Sequence, residues 1–115
     1  MPRLRKTGAA PPAGSASVFA ALGDDTRLRL LSRLCDDGPM SMAKLTAGFP
    51  MTRQGVSKHL KVMEQAGLVR RTLRGRESVW QLEAKRIADA RRYLDLIAAQ
   101  WDAALDRLKH FVETA

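Results

Sequence analysis

Arg53, Gln54, Ser57, Lys58 and Lys61 fall along one side of a helix when residues 52–66 are wound at about 100° per residue. Guanidinium, amide, hydroxyl and ammonium groups are the side chains that bond base edges and phosphate oxygens in the major groove of double-stranded DNA. Most of them lie in the first two turns, the part of a reading helix that points at the bases. Val56, Leu60 and Met63 cluster on the opposite side and give the helix an inner face. His59 flanks that inner face, where packing or a phosphate bond suits it better than catalysis. Polar residues on a solvated helix face are common, so this helix alone does not decide its own function.

The next stretch shifts the balance. Residues 68–73 and 78–82 carry strand-forming Val, Thr and Trp, and Arg74-Gly75-Arg76-Glu77 separates them, which predicts a hairpin. Arg70 lies on its first strand. Arg74 and Arg76 at the tip can rest on flanking phosphates or enter a narrow minor groove. The net charge of +8 is focused in the same place: residues 52–76 hold seven cations and one acid, while residues 15–51 balance four against four. Residues 1–14 add three cations with no acid, and the remainder carries six cations against seven acids. A polyanion is the natural partner of so local an excess.

The elements that must hold this helix come before it. Residues 1–14, rich in Pro, Ala and Gly, suit a flexible basic arm, leaving 15–115 as one domain. A first helix is expected over about 17–22. Asp24 then caps a second, on which Leu28, Leu31, Leu34 and Cys35 form the buried stripe with Leu30 at its margin. Cys35 is thereby expected to be an inert buried thiol, and a lone cysteine forms no intramolecular disulfide, which fits a reducing compartment. Ser41 caps a short third helix with Met42 and Leu45 inward, and Phe49-Pro50 makes a corner. Thr52 caps the reading helix and Gly67 ends it. Gly55, inside that helix, predicts a close approach to another backbone.

Residues 84–112 place apolar side chains at Ile87, Ala90, Leu94, Ile97, Trp101, Ala104, Leu108 and Phe111, in alternating steps of three and four. Ala98, Leu105 and Val112 widen that face. A helix spanning about 40 Å exceeds what so small a core needs, so Leu94, Ile97, Trp101, Leu105 and Leu108 are expected to form a homodimer seam. The fold class expected is mainly α with a small β-hairpin: about five helices and a two-stranded wing.

The blocks FAALGDDTRLRLLSRL, TRQGVSKHLKVMEQAGLVRR and RGRESVWQL resemble those of ArsR-family winged-helix transcriptional repressors over roughly residues 18–112. That resemblance implies a helix-turn-helix with a β-wing, two protomers paired through terminal helices, and an inverted-repeat operator. It assigns Gln54, Ser57, Lys58 and His59 to the DNA-facing part of the motif and Arg74 and Arg76 to the wing tip. Asp25 stands where a proline is frequent, which leaves the helix start intact. Many such proteins sense metals through paired cysteines on the third helix or an Asp-x-His and His-x-x-Glu/His set on the last. Here the third helix reads Ser41-Met42-Ala43-Lys44. The last ends in His110 and Glu113 with Ile97, Ala98, Ala99 and Gln100 where the first pair belongs. Two ligands do not hold zinc strongly, so the chain resembles the subgroup without the usual metal sites, and neither metal nor cofactor is expected.

Two distant histidines, one cysteine and no Gly-rich phosphate loop or paired carboxylates leave no enzymatic constellation. A protein-interaction module working through the long last helix is the competing class, and the basic wing argues against it. No stretch approaches a membrane span or a signal peptide, so a cytoplasmic protein is expected. An apolar small-molecule effector between terminal helices and an oxidant at Cys35 are both compatible with the residues as inducing signals.

Overall fold

The computed structural model describes residues 12–114. Its elements are α1 (Ser15–Leu22), α2 (Asp25–Asp37), β1 (Met40–Ser41), α3 (Met42–Thr46), α4 (Arg53–Gln65), β2 (Val69–Arg74), β3 (Glu77–Leu82) and α5 (Ala84–Thr114). The expected winged arrangement is present, with one addition. β1 pairs antiparallel with β3, Met40 opposite Trp80, so the sheet is three-stranded in the order β1-β3-β2. Two residues are too few to show strand alternation, which is why this strand was not expected.

Most of the proposed basic arm, residues 1–11, lies outside the described residues. Pro12 to Gly14 make a turn in which the Pro12 carbonyl accepts from Ser15 N at 3.1 Å, so α1 starts two residues earlier than expected. The Asp24 carboxylate accepts from Arg27 N at 3.0 Å and starts α2 as anticipated.

The inner face of α2 is rotated from the one expected. Leu30, Leu31 and Leu34 are buried, whereas Leu28 and Cys35 are exposed. α2 packs on α1, α4 and β3, and these lie on the Leu30 side. The thiol of Cys35 is therefore a surface group, which corrects the expectation of a buried one.

α3 is set by Ser41, whose hydroxyl accepts from Lys44 N at 3.2 Å, while Met42 and Leu45 turn into the core. Its far end is tied by Arg33 of α2. One guanidinium nitrogen donates to the Leu45 and Ala47 carbonyls at 2.9 and 3.2 Å, the other donates to Lys44 O at 3.2 Å, and the group sits 5.6 Å from the centre of the Phe49 ring. These carbonyls belong to the helix end, where no later amide is placed to bond them. Arg33→Ala is expected to reduce stability by about 1–2 kcal/mol, since hydrogen bonds to a charged group are lost at a half-buried place. A urea titration measures this; an unshifted midpoint would mean that water replaces the guanidinium without loss.

α4 begins at Thr52, whose hydroxyl accepts from Gly55 N at 3.1 Å. It ends in a Schellman turn: Gly67, at φ +80°, donates to Glu64 O at 3.0 Å and Leu68 donates to Met63 O at 2.9 Å. Leu68 and Met63 are both fully buried, supplying the apolar contact such a turn needs. A Cβ on Gly55 would stand 2.7 Å from Met51 Cγ. The neighbour is a flexible side chain and not the second backbone expected there.

The core joins Leu30, Leu34, Leu45, Val56, Leu60, Met63, Leu68 and Trp80, contributed by every layer of the domain. α5 touches it only near its start, where Ala90 is buried and Tyr93 lies 6.5 Å from the Phe19 ring of α1. The rest of α5 projects, giving extents of 66 × 29 × 22 Å and a radius of gyration of 19.2 Å, against about 13 Å for a compact domain of this size. Among the described residues no helix is long and apolar enough to cross a membrane.

Candidate nucleic-acid interface

The outer face of α4 is open. Arg53, Gln54, Ser57, Lys58 and Lys61 are all exposed, while Val56, Leu60 and Met63 anchor the helix from below. The side chains that could read a groove thus ride on a helix whose rotation is fixed by three fully buried residues and capped at both ends. Such support keeps a reading surface in register.

The wing comes to the same side. β2 and β3 pair from Val69 opposite Leu82 to Arg74 opposite Glu77, and Gly75, at φ +63°, makes the turn in a conformation that side chains rarely adopt. The strands therefore run further than expected, leaving only Gly75 and Arg76 between them. Arg53 from the start of α4 and Arg76 from the wing line one cleft of about 230 Å³ together with Ser41, Glu77 and Ser78. Two guanidinium groups and two hydroxyls around an open cleft suit an anionic oxygen cluster such as a backbone phosphate. Glu77 tempers the positive field there. Ser41, Ser78 and Glu77 were not assigned to the interface from the sequence, where Ser41 was read only as a helix cap, because only the β1-β3 pairing brings Ser41 to the wing.

Arg74 is exposed beside the turn. Arg70, at the base of the wing, is also exposed but has company: its Nε lies 3.8 Å from the Glu83 carboxylate. Its charge is partly offset and it is held away from the tip, so it is the least free of the wing cations. Leu73 is exposed as well, an apolar group beside the basic turn.

His59 does not share the open face. Its ring is mostly buried, with Nδ1 3.3 Å from an Arg27 guanidinium nitrogen and 3.8 Å from the Asp24 carboxylate. Of the two roles expected for it, packing and a phosphate bond, this geometry shows the first: the ring turns toward α2 because its position flanks the buried stripe of α4. The hydrogen bond from the Arg27 backbone holds the Asp24 carboxyl below its usual range, with further help from the Arg27 charge against the opposing effect of burial. A lowered folded value means that Asp24 contributes its stability in full above the ordinary aspartate value, about 3.9. That contribution is lost as pH falls through the lowered value. Asp24→Asn, which can still cap, is expected to flatten the acid limb of a plot of melting temperature against pH. An acid limb identical to the wild type would show that other carboxylates govern it.

Along α5, Leu94, Trp101, Leu105 and Leu108 are exposed and Ile97 is half-buried. They continue the face that Ala90 presents to α1. An apolar cavity of about 190 Å³ lies between Val18, Phe19 and Leu22 of α1 and Ile87 and Leu94 of α5.

A family model described as a helix-turn-helix domain matches residues 22–72. The HTH-type transcriptional regulator Rv2034 of Mycobacterium tuberculosis is 34% identical over 97 residues, covering 84% of this chain and 87% of that protein. The arsenical resistance operon repressor of Bacillus subtilis is 32% identical over 69 residues, covering 60% of this chain and 66% of its own length. Among solved structures, an ArsR-like transcriptional regulator from Rhodococcus sp. RHA1 superposes with a TM-score of 0.75 at 35% identity, covering 86% of this chain and 92% of that one. The likeness spans the helix-turn-helix, the wing and much of the last helix together, and on that extent the chain belongs to the ArsR family of winged helix-turn-helix transcriptional regulators.

Proposed function

We propose that this DNA-binding regulator is a homodimeric cytoplasmic repressor of an inverted-repeat operator, the domain of residues 15–115 supplying both the reading unit and the pairing helix. The observation that carries the reading is the convergence of Arg53 and Arg76 on one cleft at the edge of an open polar helix face. In this reading α4 lies in the major groove with Gln54 and Ser57 toward base edges. Arg53, Lys58, Lys61, Arg70, Arg74 and Arg76 bond phosphates or, from the wing tip, reach the adjacent minor groove. The exposed apolar length of α5 supports pairing with a second copy, which would set two reading helices about one helical turn apart. The name of the arsenical resistance relative supports repression as the mode of action.

Fluorescence anisotropy tests the proposal, using DNA from upstream of the protein's own gene beside a scrambled duplex of equal length, at two salt concentrations. Preference of about a thousandfold for the upstream DNA is expected. Affinity should fall steeply with salt, by about 0.9 log units per log unit of salt for each phosphate neutralised. Equal, salt-sensitive binding to both duplexes would reduce the basic face to a nonspecific surface and favour a protein partner on α5.

A further inference from the structure

Arg27 of α2 touches both α1 and α4 at the edge of the reading unit. Its Nε donates to the Ala21 carbonyl at 2.7 Å and one terminal nitrogen reaches the Ala20 carbonyl at 3.4 Å, so it closes the end of α1. Its other terminal nitrogen meets His59 Nδ1 on α4 at 3.3 Å. The residue itself is pinned at the start of α2 by Asp24. Between α1 and α4 there is an open cavity of about 250 Å³, with Ser17 and Gln65 on its walls. Val18 and Ala21 of α1 share the core with Val56, Leu60 and Met63 of α4, and at the outer edge of that boundary, where the cavity opens, Arg27 adds polar bonds.

We propose that Arg27 and His59 are positioning residues that set the angle of the recognition helix relative to the pairing helix. The path is short and physical. α5 packs on α1 through Ala90 and the Phe19–Tyr93 contact, the end of α1 is held by Arg27, and Arg27 holds α4 through His59. A guanidinium only donates, so Nδ1 of His59 must accept and the ring proton sits on Nε2. Val56, Leu60 and Met63 fix which side of α4 faces the core, and a polar bond placed off that stripe adds resistance to rocking about it. The Arg27–His59 bond lies to one side of that stripe and opposes the rocking. The consequence for recognition is the distance between the two reading helices of a dimer, which decides the half-site spacing the protein accepts. This inference rests on the operator-binding dimer proposed above.

Two measurements test it in the full-length protein. The first needs no DNA: long-range nitrogen–proton NMR of the imidazole at neutral pH should show His59 with a bare Nδ1 and a protonated Nε2, and this preference should vanish in Arg27→Lys. A ring protonated on Nδ1 overturns the pairing whether or not an operator exists. The second compares His59→Asn, which keeps an acceptor near the Nδ1 position, with His59→Leu, which keeps bulk alone. Each is titrated against upstream DNA, the same DNA with one base pair inserted between half-sites, and scrambled DNA. His59→Leu is expected to lose about tenfold in preference for the natural spacing, with scrambled DNA bound as before, and His59→Asn is expected to restore it. Arg27→Lys, which cannot reach the α1 carbonyls and the imidazole together, should behave as His59→Leu does. Equal weakening on all three duplexes would make His59 a phosphate contact, and unchanged spacing preference in a folded His59→Leu protein would remove the positioning role. Absence of any preference in the wild type would defeat the operator reading itself, leaving the NMR result to decide the pair.

Discussion

Leu105→Asp is expected to turn the protein into a folded monomer that has lost operator binding by about a thousandfold. Leu105 is 56% exposed and sits in the middle of the apolar face that runs along α5 beyond Ala90, flanked by Trp101 and Leu108. Nothing in the core touches it, so the helical content and the urea midpoint of the monomer should be unaltered at low protein concentration. A carboxylate placed in a helix-pairing seam has to be buried without a partner or the seam must open, and opening is the lesser penalty. Two linked reading units gain from effective concentration by a factor on the order of a thousand, and a monomer forfeits it. Light scattering after size exclusion gives the oligomeric state and anisotropy gives the affinity. Leu96→Asp is the control, because Leu96 is also exposed but faces the other side of the helix. Dimers that survive Leu105→Asp with wild-type affinity would place the pairing surface elsewhere.

Leu60→Ala should have the largest effect on stability. Leu60 is completely buried at the centre of the inner face of α4, against a core drawn from all layers. Truncating such a side chain removes its transfer energy and leaves a cavity, a loss of about 2–5 kcal/mol from a total that is about 5–15 kcal/mol for domains of this kind. Urea unfolding followed by circular dichroism should show the midpoint fall by a large fraction of its value. Ser57→Ala, three residues earlier on the exposed face, should leave the midpoint where it was and instead reduce the preference for operator over scrambled DNA. The pair separates the two faces of one helix: the inner, which holds the fold, and the outer, which is proposed to read DNA. A stable Leu60→Ala protein would mean that the neighbouring side chains collapse into the space.

The boundaries of α4 were legible because local chemistry fixes them. Thr52 is followed three residues on by the amide it caps, and Gly67 supplies the left-handed residue that a Schellman turn requires. The inner stripe of α4 and the apolar repeat of α5 were legible for the same reason, since both are periodic and depend on no distant residue. What was not legible depends on distant pairs. The face of α2 was misread because Leu28 and Cys35 fit a helical stripe as well as Leu30 does, and only the position of β3 and α4 selects between them. β1 exists because β3 offers it an edge. His59 carries a side chain that phosphates also attract, and its actual neighbour, Arg27, is 32 positions away. The Arg53–Arg76 cleft was half legible: both cations stood out, but the pairing that brings Ser41 and Ser78 to them did not.

The bond between β1 and β3 also governs the order in which a newly made chain becomes competent. Met40 pairs with Trp80, and α3, α4 and β2 all lie in the interval that this pairing closes. The reading helix is therefore not locked in place until Trp80 has left the ribosome, because that loop must close before its contacts hold. α5 emerges only afterwards. Each polypeptide thus finishes most of its reading unit before it owns the helix proposed to pair it, and a product cut short just after Tyr93 keeps the contacts of α5 with α1 while lacking the proposed seam. In a cell carrying both lengths, such fragments would neither capture full-length subunits in mixed pairs nor compete well for an operator, so nonsense alleles at that point should be recessive.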